Sequence, residues 1–146
     1  MSTPKKILLT GLAVILLLGA TPLAAQIAGR WEGTGTGEAY PPCHPPIHPW
    51  QIWMGEIPLT QDVFTGEWCD ADCNHGTFKG EIAPFSTPEE AYCEGYWTWD
   101  DPSSPSIIVG HFKMTFYILE GICEGTWTSI WPSPSGPGTM KGWKID

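Results

Sequence analysis

The sequence predicts an all-β protein, an eight-stranded antiparallel up-and-down meander barrel that follows an N-terminal signal peptide. Apolar and polar residues alternate with a period of two along most of the chain after residue 28, as in strands with one buried face. Glycine (17 residues) and proline (15 residues) are abundant in a chain of 146, and both disfavour helix interiors. Eight short strands with brief connections fit a closed meander, and a two-sheet β-sandwich is the alternative.

Residues 1–25 have the features of a secretory signal peptide. Lys5 and Lys6 precede the apolar stretch 7–20, and small residues follow up to Ala25. A basic start, a short apolar middle and a small-residue end are typical of a cleaved signal. The stretch is short for a membrane span, which needs ~20 apolar residues, so an uncleaved anchor is the less favoured alternative. We expect a secreted protein, extracellular or periplasmic, with no transmembrane segment in the mature chain.

The strands are expected in chain order, with turn-forming residues between them. In the first, Trp31 and Gly33 fall on one face while Glu32 and Thr34 fall on the other. Clusters of Gly, Pro, Ser and Asp separate the later strands, as turn chemistry requires. The expected strands are 28–37, 50–58, 63–69, 76–83, 92–99, 106–118, 122–131 and 138–145.

A Gly-x-Trp motif recurs within these strands. It occurs at Gly66-x-Trp68, Gly95-x-Trp97 and Gly125-x-Trp127, so that the tryptophans are 29 and 30 residues apart. A fixed period of this length indicates internal repetition, here of one hairpin per unit. The sequence therefore predicts a single domain, residues 26–146, that is built of hairpin repeats of about 30 residues.

Glycine alternates with large aromatic residues on the predicted inner face. Because glycine leaves its backbone bare, an indole from a neighbouring strand can lie over it. Each buried indole removes about 150–250 Å² from water, so a few of them can fill a small barrel. A ligand-lining aromatic wall is the alternative role for the same rings. The expected core residues are Trp31, Trp68, Trp97, Trp127, Phe78, Phe112, Phe116 and Met140.

The segment Gly29-Arg30-Trp31 resembles the Gly-x-Trp motif that opens lipocalin-type chains. The pairing of Gly with Trp on meandering strands is also similar to avidin-like barrels. This calycin-like resemblance covers one three-residue motif and the strand count. It implies a barrel architecture, a core role for Trp31 in closing one barrel end, and at most a small-ligand binder.

Alternate loops of an up-and-down meander lie at the same barrel end. Loops 38–49, 70–75, 100–105 and 132–137 are then expected at one end, which we call the first rim. Loops 59–62, 84–91 and 119–121 share the other end, the second rim. Four aromatic residues at the first rim are candidates for stacking on a sugar or an apolar ligand: Tyr40, Trp50, Trp99 and Trp131.

Five cysteines in an exported chain predict disulfide formation. Cys93 and Cys123 begin strands that are two apart, nominally about 9–10 Å, so a bridge between them requires strong curvature or displaced strand ends. At the first rim we expect Cys43 to pair with Cys69 or Cys73, and a local Cys69–Cys73 bridge is the alternative. The remaining thiol is free or pairs with another chain.

The first rim also concentrates ligand types that suit zinc or copper. The spacing matches neither a Cys-x2-Cys zinc pair nor a haem-attachment motif, so a structural disulfide with solvated histidines is the favoured alternative, and no cofactor is expected. The candidate metal ligands are Cys43, His44, His48, Cys69, Cys73 and His75.

Function is constrained mainly by exclusion. The sequence holds no Gly-x-Ser-x-Gly turn, His-Glu-x-x-His helix or phosphate-binding glycine loop, so we expect no enzyme. A formal net charge of −9 argues against nucleic acid as a partner. We expect a binding module for a small apolar or sugar ligand at the first rim. The alternatives are a structural or interaction protein of the cell exterior with a solid Trp/Gly core, and a Cys/His metal-binding rim.

Overall fold

The computed structural model describes residues 27–84, 87–100, 107–131 and 134–146. They form one closed antiparallel barrel in which each strand pairs with the next along the chain and the last pairs with the first. The predicted up-and-down barrel is confirmed, and the sandwich alternative is wrong. The predicted signal peptide, residues 1–25, lies outside the described residues. The strands are β1 (Gly29–Thr36), β2 (Ile52–Ile57), β3 (Val63–Cys69), β4 (His75–Ile82), β5 (Glu90–Trp99), β6 (Ile107–Tyr117), β7 (Ile122–Ser129) and β8 (Ser135–Lys144).

Two of the strand boundaries that differ from the prediction have clear local reasons. β2 begins at Ile52 instead of residue 50, because Trp50 has a φ of 64° and its backbone turns away from the strand direction. β8 begins at Ser135 instead of residue 138, because a register shift in β7 lets Ser129 pair with Ser135. A bulge of this kind adds a residue to one strand and bends it.

Cross-strand pairing repeats one arrangement around the barrel. In three hairpin units, a glycine on one strand lies opposite a large side chain on the next strand. That side chain lies opposite a tryptophan on the third strand. In the fourth unit, Gly35 takes the place of the tryptophan. The four sets are Gly33–Trp53–Trp68, Gly66–Phe78–Trp97, Gly95–Phe112–Trp127 and Gly125–Met140–Gly35.

Three tryptophans join each unit to the next. Trp68 on β3 lies over Gly76 of β4, where an added Cβ would be 2.7 Å from the indole nitrogen. Its Nε1–H then donates to the Thr98 carbonyl of β5 at 2.9 Å. Trp97 over Gly110 and Trp127 over Gly138 repeat the arrangement, with Nε1–H donating to the carbonyls of Thr128 (3.2 Å) and Thr36 (3.1 Å). Each bare glycine therefore lets one indole cross a strand and bond to the strand beyond it.

Trp50 fills the centre of the barrel from the loop between β1 and β2. It is 0% exposed, stacks on Phe78 at 4.4 Å between ring centroids, and lies 4.9 Å from Phe112 and 6.0 Å from Trp53. These contacts reach β2, β4 and β6, so the ring lies between opposite walls. A Cβ added at Gly35 would lie 2.6 Å from the Trp50 carbonyl oxygen, so Trp50 occupies the space that the missing fourth tryptophan would take.

Trp31 lies at the opposite end of the interior, near the second rim. Its ring is buried edge-on against Phe116, with centroids 4.9 Å apart, and its Nε1–H donates to the Ile27 carbonyl at 2.9 Å. The segment just before β1, where Ile27 is fully buried, therefore covers this end of the aromatic core.

Candidate functional site

Asp70 attaches the long loop 37–51 to the β3–β4 turn. Its side chain is fully buried, and it accepts hydrogen bonds from the backbone N–H of His48 (3.0 Å), Asp72 (3.0 Å) and Asn74 (2.9 Å) and from the Asn74 amide (2.9 Å). Burial acts to raise the pKa of Asp70, but these four donors stabilise the carboxylate and hold the pKa below its usual value. An ionised carboxylate thus fixes two first-rim loops together.

His48 extends this network to the surface. Its Nε2 lies 3.3 Å from Glu38 Oε1, and its Nδ1 lies 3.8 Å from Asp70 Oδ2. The Tyr40 hydroxyl donates to the other Glu38 oxygen at 3.0 Å, which raises the pKa of Tyr40. The imidazole therefore lies between two carboxylates.

The predicted aromatic platform at the first rim is not assembled. Trp50 is inside the barrel, and Trp99 is 2% exposed because it lies two residues after Trp97, on the same inner face of β5, and the His44 ring covers it at 5.0 Å. Of the four predicted rings, Tyr40 and Trp131 are exposed. The four-ring stacking surface expected from the sequence is therefore wrong in this structure.

All five cysteines are free thiols, so none of the predicted disulfides is formed. Cys93 and Cys123 lie in the core on β5 and β7, with β6 between them. Burial raises the pKa of Cys93 to about 12, and it raises the pKa of Cys123 further. These two are neutral packing residues, whereas Cys43, Cys69 and Cys73 are exposed.

The predicted metal ligands do not form one cluster. Across the described ranges, no three His, Cys, Asp or Glu side chains are grouped so as to hold a metal ion. His44 packs on Trp99, His48 lies between Glu38 and Asp70, and His75 contacts Asp100. Each imidazole is thus engaged in a separate local contact.

A groove of about 380 Å³ lies on the outer face of β2, β3 and β4, just below the first rim. Its apolar part is formed by Ile52 and Met54, which are 53% and 54% exposed. Its polar part is formed by Glu67, Cys69, His75, Thr77 and Asp100. We call this feature, defined by these seven residues, the shoulder groove.

The polar residues of the shoulder groove are aligned across three strands. Ile52 is opposite Cys69, and Cys69 is opposite His75. The Asp70 N–H donates to the Asn74 carbonyl, which makes the adjacent 69/75 pair the non-hydrogen-bonded type, whose side chains are closer together. His75 Nδ1 lies 3.2 Å from Asp100 Oδ2. A thiol, an imidazole and a carboxylate therefore follow one another along the groove.

The loop positions in the sequence place Cys69, His75 and Asp100 together at the first rim, but sequence reasoning missed Ile52 and Met54 beside them. Asp100 follows β5, and its backbone N–H donates to the His75 carbonyl at 2.9 Å. The expected pairing of neighbouring hairpins could have indicated this contact. The exposure of Ile52 and Met54 is visible in the sequence only as two apolar residues on a strand's outer face.

Two further grooves lie on the barrel. One of about 560 Å³ crosses the outer face of β4 to β7 and is lined by charged and polar groups, among them Glu81, Glu94, His111 and Lys113. The other, of about 750 Å³, lies at the second rim beside the Arg30–Asp146 ion pair. Neither combines exposed apolar side chains with a thiol and an imidazole.

Comparisons with protein-family models, with curated proteins and with solved structures find no match for this chain. The closed eight-stranded barrel is compatible with the calycin-like architecture that Gly29-Arg30-Trp31 suggested. Among the residues that the structure describes, none belongs to a helix long and apolar enough to cross a membrane.

Proposed function

We propose that this protein is a non-catalytic binding module that acts outside the cytoplasm and takes a small apolar ligand in the shoulder groove. The observation that carries the proposal is the pair of half-exposed side chains, Ile52 and Met54, beside convergent polar groups. Ligand sites combine apolar walls with a few polar groups that fix orientation, in volumes of about 300–1,000 Å³. The shoulder groove has this composition and size.

The filled interior supports an outer site. Trp50 lies between opposite walls of the barrel, and the rings around it make contacts of 4.4–6.0 Å between centroids. A ligand inside the barrel, against the aromatic wall that is the alternative role of the inner rings, would have to displace this indole. Binding on the outer face requires no such rearrangement, so it is the favoured mode.

The test uses a neutral apolar probe, N-phenyl-1-naphthylamine, with ¹H–¹⁵N spectra of the native protein. We expect saturable shifts of the amides of Ile52, Met54, Cys69 and Thr77. Ile52→Glu places a charge on the apolar wall and should weaken the affinity at least tenfold, or about 1.4 kcal/mol. Ile122→Glu makes the same change on the outer face of β7 and serves as the matched control. Shifts confined to another surface, or equal affinity of both variants, would reject this site.

A second candidate function, a structural or interaction protein of the cell exterior, is favoured by the solid Trp/Gly core. In this case the barrel serves as a durable scaffold and the shoulder groove has no ligand. Absence of saturable binding by the apolar probe and by neutral methyl glycosides, together with a high thermal midpoint, would favour this function over the first.

Export is part of both proposals. We expect the full chain, expressed in a bacterium with a secretion pathway, to accumulate outside the cytoplasm with Gln26 as its first residue. Fractionation followed by N-terminal sequencing measures this. Cytoplasmic protein that begins at or near Met1 would contradict export without bearing on the shoulder groove.

A further inference from the structure

The three exposed cysteines have different surroundings. Cys43 and Cys73 lie in loops and have φ values of 55° and 65°, whereas Cys69 is the last residue of β3. Cys69 is the one that lies directly opposite an imidazole, that of His75. Cross-strand neighbours of this kind have Cβ atoms about 4.5–5.5 Å apart, a separation that side-chain rotation can close to a thiol–imidazole hydrogen bond.

The His75–Asp100 contact determines which ring nitrogen faces other groups. Nδ1 is 3.2 Å from the Asp100 carboxylate. In the neutral ring Nδ1 therefore carries the hydrogen and donates a hydrogen bond to Oδ2. Nε2 is then the lone-pair nitrogen and can accept a proton. A base oriented by a carboxylate beside a nucleophile is the arrangement that activates thiols in general.

The surroundings of the thiol favour an apolar co-reactant. Ile52 is the neighbour of Cys69 on the side away from His75, and Met54 follows on the same face of β2. A group attached to the Cys69 sulfur can therefore lie on these two side chains.

We infer that Cys69 is a base-assisted thiol that exchanges with an external disulfide bearing an apolar group, His75 accepting the thiol proton and Asp100 positioning the imidazole. The Cys69 S–H proton passes to His75 Nε2, and the sulfur attacks one sulfur of the disulfide. A Cys69–S–S–R bond forms while the original S–S bond breaks. The departing thiolate takes the proton from the imidazolium, so no further oxidant is needed. This inference rests on the proposed function for the location of the apolar group.

Two double variants isolate single exposed thiols for the test. C43S/C73S leaves Cys69 as the exposed thiol, and C43S/C69S leaves Cys73. The probe is 4,4′-dithiodipyridine, a neutral aromatic disulfide whose cleavage is followed by absorbance. At pH 7 we expect Cys69 to react about tenfold faster than Cys73, a modest fraction of the 10²–10⁴-fold that general bases supply. Equal rates for the two thiols would overturn the inference.

The role of His75 is tested in the C43S/C73S background. H75Q should lower the rate to that of Cys73, and added free imidazole should restore part of it, which a purely structural role of His75 would not allow. D100N should change the pH profile of the reaction because the imidazole loses its orienting carboxylate. A rate that is indifferent to H75Q, with circular dichroism showing an intact barrel, would reject the inference.

The outcome is separable from that of the proposed function. Hydroxyethyl disulfide, which is neutral but polar, should lose most of the preference for Cys69, and I52E should reduce only the reaction with the aromatic disulfide. C69S should still bind N-phenyl-1-naphthylamine if the shoulder groove is an apolar site. Slow exchange with intact probe binding would reject the thiol chemistry alone, whereas fast exchange without apolar preference or probe binding would reject the proposed ligand class.

Discussion

Asp70 shows how one residue can order an irregular region. Proline-rich loops have few regular backbone pairs, and the loop 37–51 has a single bridge of its own, between Ala39 and Ile47, among the described residues. The carboxylate of Asp70 supplies the missing partners, because a carboxylate accepts several hydrogen bonds at once. Its hydrogen bond from the His48 N–H attaches this loop to the β3–β4 turn.

Replacing Asp70 by alanine should lower the free energy of unfolding by about 2–3 kcal/mol, because four donors would lose a charged acceptor inside the protein. Urea unfolding measures the change. Asp72→Ala is the matched control, since the Asp72 side chain is exposed in the same turn. We expect that control to change stability by less than about 0.5 kcal/mol. Similar losses in both variants would contradict the role of Asp70.

The lowered pKa of Asp70 predicts that the free energy of unfolding decreases at acid pH. The unfolded carboxyl has a pKa of about 3.9, so the stabilisation is fully present above that pH and is lost as pH falls through the lower folded value. Protonated Asp70 resembles asparagine in shape and charge. The stability difference between the protein and D70N should therefore be large at pH 6 and shrink below pH ~4. A constant difference across this range, measured by urea unfolding, would show that ionisation of Asp70 contributes nothing.

At the scale of secondary-structure elements, the main contact between hairpins is the packing of each tryptophan ring over a glycine of the adjacent strand. The crossing indoles contact one another edge-on: the Trp68 and Trp97 centroids are 6.0 Å apart, and those of Trp97 and Trp127 are 5.4 Å apart. Such contacts add to area burial. Because each indole also bonds to a strand two positions ahead, adjacent hairpins are connected by side chains as well as by the backbone ladder.

Gly138→Ala should be costly for this reason. The added methyl would lie 2.1 Å from the Trp127 ring, so the indole or the β8 backbone must shift. Overpacking of this kind costs about 1–3 kcal/mol, and loss of the bond to the Thr36 carbonyl adds to it. Thermal and urea unfolding measure the change. Thr126→Ala, on the outer face next to Trp127, should leave the free energy of unfolding nearly unchanged. If it lowered stability as much as Gly138→Ala, strand propensity would explain both results and steric conflict with the indole would not.

Sequence predicted the regular elements well because period-two alternation and turn residues are local signals. The faces of Trp68, Trp97 and Trp127 follow directly from the Gly-x-Trp spacing. Trp50 was misplaced because its burial depends on a left-handed backbone conformation in a proline-rich loop, for which no periodicity exists. Asp100 was placed at the correct rim, but its direct contact with His75 was missed, because that contact joins two hairpins and residues 25 apart. Such a contact depends on the register between β4 and β5, which residue spacing alone does not give.

For the molecule as a whole, Trp50 is the residue on which a filled barrel depends. Three strands contribute its ring neighbours, and the fourth hairpin unit has Gly35 where the other three have tryptophan. The buried Nε1–H of Trp50 has no hydrogen-bond partner among the described residues. Its contribution to stability should thus come from packing, and the polar atom should reduce it, since an unpaired buried donor costs free energy.

Trp50→Ala should therefore lower the free energy of unfolding by about 3–5 kcal/mol and leave a cavity on the barrel axis. Indole added to this variant should bind and raise its thermal midpoint. Indene has the same shape but lacks the N–H group. It should stabilise the variant at least as well as indole, because the cavity offers no acceptor for the indole N–H. Calorimetry with each ligand measures the shift, and the unaltered protein, whose cavity is filled, provides the control. A clear preference for indole would mean that the Trp50 nitrogen has a partner in the folded protein; absence of rescue by both ligands would mean that the barrel collapses around the gap.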